Sequence, residues 1–170
     1  MIDWALEQYG VSAEVGMYGI SMGGDISVAA AGLDKRIVLA VPAIATTDWL
    51  RPGTNESVGE ADEVAQACYD ELNPLTHLEC YAHCWRIIFQ NRAEDQQVPP
   101  DGSVRFCDAL RATHYRDYPE KMEAVLHAGA GHAYPPEMWE NKVALFRDYL
   151  SGRLQEPRCR KTLHTCGSPR

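Results

Sequence analysis

Val15-Gly16-Met17-Tyr18-Gly19-Ile20-Ser21-Met22-Gly23-Gly24 sets a short apolar run directly against a Gly-x-Ser-x-Gly turn. Val15 to Ile20 suits a buried strand. A helix is expected to follow at once, with Ile26, Ala29, Ala30 and Leu33 on the face that packs on the sheet. Strand, sharp turn and helix in this order push Ser21 out at the carboxyl end of the strand, over the N-terminus of the helix. The Met22 backbone N–H would then point where an oxyanion develops, aided by the helix dipole. The competing reading is a structural glycine turn or a phosphate-binding loop. Phosphate loops normally add a lysine, and none lies near.

Outward from this turn, helix and strand patterns alternate. Ile2, Ala5, Leu6 and Tyr9 mark an amphipathic helix that Gly10 is placed to end. Ile37–Val41 reads as a second strand, whose ladder Pro42 is expected to close. Trp85–Gln90 and Met122–Ala128 read as the third and fourth. Asp101 is a candidate N-cap for a helix burying Val104, Cys107 and Leu110. The last helix opens at Pro135-Pro136 with Trp139, Val143, Phe146 and Leu150 in one stripe. Residues 45–84 begin as a loop and continue into an acidic helix whose apolar face is Ala61, Val64, Ala65, Cys68 and Leu72, stopped at Asn73-Pro74. That segment is expected to be a cap-like insertion. The alternation predicts an α/β fold, a parallel sheet of about four strands flanked by helices.

A serine hydroxyl needs a base to become a nucleophile, and the base needs an orienting acid. Loops at the carboxyl ends of later strands supply both types. Glu94-Asp95 and Val98-Pro99 follow the third strand, and Gly131-His132 follows the fourth. The candidate constellation is Ser21 as nucleophile, Asp95 as acid and His132 as base. Glu94 and Asp101 compete with Asp95. His127 competes with His132, but its place inside an apolar strand suits a core histidine. His77, His83 and His114 have no neighbours that demand a role beyond solvation or capping. Cys80, His83 and Cys84, like Cys159, His164 and Cys166, lack the four-ligand spacing of a zinc site. Cys68 and Cys107 read as small core hydrophobes. Glu56, Glu60, Asp62, Glu63, Asp70 and Glu71 suit a solvated face. Trp49 and Leu50 either line an acyl pocket or pack the insertion on the sheet.

Gly19–Gly24, the Asp95–Pro99 stretch and Gly131-His132 together resemble the α/β-hydrolase fold, in the manner of dienelactone-hydrolase-like esterases and prolyl-oligopeptidase-like hydrolases. The resemblance covers almost all of residues 1–151 and corresponds to the C-terminal half of such a fold. It implies hydrolysis of an ester or related acyl bond of a small-molecule substrate through an acyl-enzyme, with no metal or organic cofactor. The dienelactone group often carries cysteine where this chain has Ser21. In the family several strands precede the elbow, and a loop after one of them donates the second oxyanion N–H. Here the elbow strand would be a sheet edge, expected to pair with a second copy or with a complementing N-terminal chain. The alternative function is a catalytically silent fragment that serves as an interaction or assembly module.

The bulk properties narrow the partners. The chain has 170 residues, 24 acidic and 16 basic, with a net charge of −8 and a hydrophobic share of 45%. That composition predicts one globular domain with a real core. From Gly152 onward five basic side chains face one acidic, so residues 152–170 read as a basic, flexible tail. The acidic remainder argues against nucleic acid. No run of about 18 apolar residues suggests a membrane span. Met1-Ile2-Asp3-Trp4 lacks the pattern of a secretory signal, and six cysteines then suggest free thiols in a cytoplasmic, reducing compartment.

Overall fold

Val15–Ile20 (β1), Ile37–Ala43 (β2), Arg86–Glu94 (β3) and Met122–Ala130 (β4) form one sheet in the order β1-β2-β3-β4, every neighbouring pair parallel. The structure is a computed structural model and describes residues 1–57 and 59–152. Apart from Gly152, the basic tail expected at 152–170 lies outside the described residues. Helices Ile2–Tyr9 (α1), Met22–Leu33 (α2), Glu63–Leu72 (α3) and Asp101–Ala112 (α4) connect or precede the strands. Strands that run parallel need such crossovers, because a hairpin cannot return the chain to the same end of the sheet. The parallel α/β expectation holds: four parallel strands are flanked by helices.

The chain divides into two compact units, Met1–Ala133 and the stretch from Tyr134. In the first, Ile87, Phe89, Phe106, Leu110 and Met122 are fully buried and join Val28, Ala31 and Ala40 in one core. Fully burying each larger apolar side chain contributes about 1.5–3 kcal/mol. Phe106 meets Tyr81 and Phe89 edge to face, at centroid distances of 4.9 and 6.0 Å. Tyr115 closes the base of the core, its hydroxyl 2.6 Å from the carbonyls of both Tyr81 and Cys84. The second unit holds Pro136–Leu150 (α5), where Lys142 Nζ sits 3.3 Å from the centre of the Trp139 ring. Trp139 and Leu150, expected on its apolar stripe, are both exposed. Among the described residues no helix is long and apolar enough to cross a membrane.

Several local expectations are corrected. Pro42 does not close β2, which runs on to Ala43. The β2–β3 pairing skips positions 41 and 42 and resumes at Ala43, so the missing proline N–H falls in a gap of the ladder. The face of α2 turned to the sheet is Gly24, Ser27, Val28 and Ala31, whereas Ile26 and Leu33 are exposed. This helix is apolar almost all round, so periodicity could not choose a face; small side chains decided it by allowing close approach to β1 and β2. On α3 no residue is buried, and Cys68 is exposed rather than a core hydrophobe. Cys107 is buried, and burial pushes its thiol up to about 12. Asp101 is not an N-cap: Pro100 takes that position, and the Asp101 carboxylate accepts from Arg105 Nε at 2.6 Å.

Candidate active site

The turn after β1 is held by backbone contacts. Ser21 N donates to Ala43 O at 2.9 Å, and Ser21 O accepts from Gly24 N and Asp25 N at 2.7 and 3.1 Å. Ser21 has φ 55 and ψ −126, a conformation that side-chain-bearing residues seldom adopt. Close approach explains the glycine before it. A Cβ on Gly19 would lie 1.9 Å from Gly23 O and 2.6 Å from Ser27 Oγ. Met22, the first residue of α2, has a backbone N–H with no acceptor among the described residues.

Two loops converge on Ser21. The β3–β4 register shifts between Arg92 and Glu94, immediately before the chain leaves the sheet at Asp95. Asp95 is buried; its Oδ1 accepts from Gln97 N and Val98 N at 2.9 and 3.0 Å, which aims Oδ2 at the imidazole. Beyond β4, Gly131 (φ 86) turns the chain so that His132 reaches back over the sheet end. His132 Nδ1 lies 2.8 Å from Asp95 Oδ2, and His132 Nε2 lies 2.7 Å from Ser21 Oγ. A carboxylate can only accept, so Nδ1 carries the proton and Nε2 presents its lone pair to the serine hydroxyl.

The competing candidates go elsewhere. Glu94 is exposed, and Asp101 pairs with Arg105. His127 Nε2 lies 2.7 Å from Gln90 Oε1 on the neighbouring strand. His83 is not simply solvated: its Nε2 lies 3.2 Å from Ile37 O, and burial lowers its pKa. His77 Nδ1 lies 3.1 Å from Asn73 O.

Beside Met22 an apolar groove of about 410 Å³ runs along the outer face of α2, walled by Trp49 and Arg51 and floored by Ile26, Ala29, Ala30 and Leu33. Leu50 is exposed and lies outside it. Sequence reasoning missed Asp25, which the fold buries at this groove. Its carboxylate accepts from Thr46 N at 2.8 Å and pairs with Arg51 Nη2 at 2.7 Å. It also missed Asn91, whose side chain joins Ala45 N, Ala45 O and Ser103 Oγ beneath the same loop. The available signal was a lone acid on a helix of small residues, four positions past the elbow serine.

No curated protein matches the sequence. Among solved structures, a puromycin-hydrolysing peptidase from Mycobacterium tuberculosis is similar at 22% identity and TM-score 0.65; the match covers 91% of this chain and 24% of the peptidase. A Thermus thermophilus protein, TT1662, is similar at 20% identity and TM-score 0.67, with 91% and 59% covered. The acylaminoacyl peptidase of Pyrococcus horikoshii is similar at 18% identity and TM-score 0.65, with 95% and 28% covered. The chain thus spans about a quarter of the peptidases it resembles, and these likenesses show the fold. The sequence itself matches the model of the prolyl oligopeptidase family over residues 1–155, nearly its whole length, and the chain belongs to that family.

Proposed function

We propose that the chain is a serine hydrolase cleaving an acyl bond through a covalent acyl-enzyme. The observation that carries this is the unbroken relay Ser21 Oγ–His132 Nε2–His132 Nδ1–Asp95 Oδ2, at 2.7 and 2.8 Å. Ser21 Oγ attacks the acyl carbon while its proton passes to His132 Nε2. The carbonyl π pair moves onto oxygen, where the Met22 N–H receives the oxyanion. Asp95 stabilises the imidazolium without taking its proton. The tetrahedral adduct collapses, the leaving group departs with the proton from His132, and water repeats the sequence to release the acid. We assign the acyl substituent to the groove that Met22, the residue after Ser21, helps to line.

An ester is the substrate such a site cleaves most readily, because an alkoxide leaves more easily than an amide nitrogen. A peptide or amide bond is the second reading, favoured by the peptidases among the similar structures. The competing function, a silent assembly module, draws on the exposed edge position of β1. Labelling of the purified chain by a fluorophosphonate separates enzyme from silent module. Labelling abolished in Ser21→Ala is expected; absent labelling, or equal labelling of the variant, overturns the proposal. Rates on a p-nitrophenyl ester and the matching p-nitroanilide then decide between ester and amide.

A further inference from the structure

The loop after β2 is tied to its surroundings on two sides. On its far side Asp48 Oδ2 pairs with Arg105 Nη2 at 2.6 Å, and Trp49 N donates to Asn73 Oδ1 at 3.0 Å. On the near side both contacts come from one carboxylate on α2, that of Asp25, whose side chain is only 10% exposed. Oδ1 accepts from Thr46 N and Oδ2 from Arg51 Nη2, so the two contacts bracket Trp49 in sequence. Arg51 has φ 45, a conformation rare for a residue with a side chain, and its Nη1 also reaches Glu56 Oε2 at 3.3 Å. Burial raises the Asp25 pKa despite Thr46 N–H and Arg51, so desolvation outweighs its partners. A buried pair of this sort is a weak source of stability compared with apolar residues that replace both partners. The contacts fall on either side of Trp49, and Trp49 and Arg51 line the groove that also touches Met22.

We infer that Asp25 is a positioning residue: it holds Thr46 and Arg51, and through them the Trp49 wall, at the distance from α2 that decides which acyl groups the groove admits. The inference rests on the proposed role of Ser21 and on the assignment of the acyl substituent to this groove. Asp25 touches no reacting atom. It acts through the loop, so its loss changes selection among acyl groups more than the chemical step.

The test uses the full chain, Asp25→Asn and Arg51→Gly. The first keeps an acceptor for Thr46 N and removes the charge facing Arg51. The second removes the guanidinium and suits the positive φ, so the backbone is not strained by the change. Steady-state constants are measured with p-nitrophenyl acetate and p-nitrophenyl 4-phenylbutyrate, alongside hydrogen exchange of the amides of residues 46–51. In both variants the KM for the bulky ester is expected to rise about tenfold relative to that for acetate, with kcat affected little by comparison. Exchange over 46–51 should quicken about tenfold while β1 and β2 keep their protection. Arg51→Lys should restore part of the selectivity. Equal losses on both esters would overturn the inference, as would unchanged selectivity. If the unaltered chain hydrolyses neither ester, the nucleophile reading fails by itself, and exchange decides whether Asp25 holds the loop: unchanged exchange at 46–51 refutes that role.

Discussion

Replacing Asp95 by asparagine separates a chemical role from a structural one, because the two oxygens of this carboxylate have different partners. Oδ1 accepts from Gln97 N and Val98 N, while Oδ2 faces His132 Nδ1. In Asp95→Asn only the amide oxygen can serve two N–H donors, so it takes the Oδ1 position. The amide NH2 then points at Nδ1, which must become an acceptor, and the imidazole proton moves to Nε2. A protonated Nε2 cannot take the proton of Ser21. Reversing the tautomer in such a relay costs about 10⁴ in kcat, or about 5.5 kcal/mol. The fold loses much less. Two hydrogen bonds to a charged acceptor become neutral ones, a loss of about 1–2 kcal/mol in all. For a chain of this size that lowers Tm by about 2–8 °C. The assay is ester turnover at neutral pH and the rate of fluorophosphonate labelling, with a circular-dichroism melt of the same samples. Residual turnover above about a tenth of the original would refute the tautomer argument. So would a collapse of the melt, which would make Asp95 a structural residue first.

Other outcomes follow from the same geometry. Gly19→Ala puts a Cβ 1.9 Å from a backbone carbonyl and should cost about 3 kcal/mol or more. Gly23→Ala meets nothing within 4 Å, so its melt should match or exceed the original; equal melts for the two variants would contradict the packing of the turn. His83 is held below the usual imidazole range by burial, which outweighs its contact with the Ile37 carbonyl. The unfolded chain therefore takes up the proton first, and the stability linked to His83 is present above about pH 6.5 and lost as pH falls towards the lowered value. Tm should drop between pH 7.5 and 5, and His83→Gln should flatten that slope; parallel profiles would remove His83 from the account. Among the described residues β1 pairs with β2 alone and lies at the sheet edge, with Ile20 exposed at its end. Light scattering of the isolated chain over a tenfold dilution should reveal a dimer or aggregation; a monomer with a cooperative, high-temperature melt would show the edge is already protected.

Much of the architecture was legible from local pattern. The apolar runs of β1, β2, β3 and β4, the crossover helices between them and the glycine-flanked Ser21 each declare themselves within about ten neighbouring residues. The family-like stretches at Asp95 and His132 are legible in the same way, as residue types in loops of known chain order. Where the pattern was uniform it could not decide. The helix α2 offered Ile26 and Leu33 as readily as Val28 and Ala31 for the sheet, and α3 offered Val64 and Cys68 to a core it does not reach.

Local sequence determined that there is a strand, an elbow and a serine at its tip, because backbone propensity and glycine sterics act over a few residues. Only the tertiary structure decided which groups meet there. His132 reaches Ser21 across 111 positions of chain, and the choice among Glu94, Asp95 and Asp101 turned on a register shift at the end of β3 and two backbone N–H groups that aim one carboxylate. The Asp25 contacts with Thr46 and Arg51 had no separate signal, since nothing in a lone acid on a helix says what the fold will bring within 3 Å of it. Periodicity records which way a side chain points; a partner far along the chain is set by how strands order themselves in the sheet.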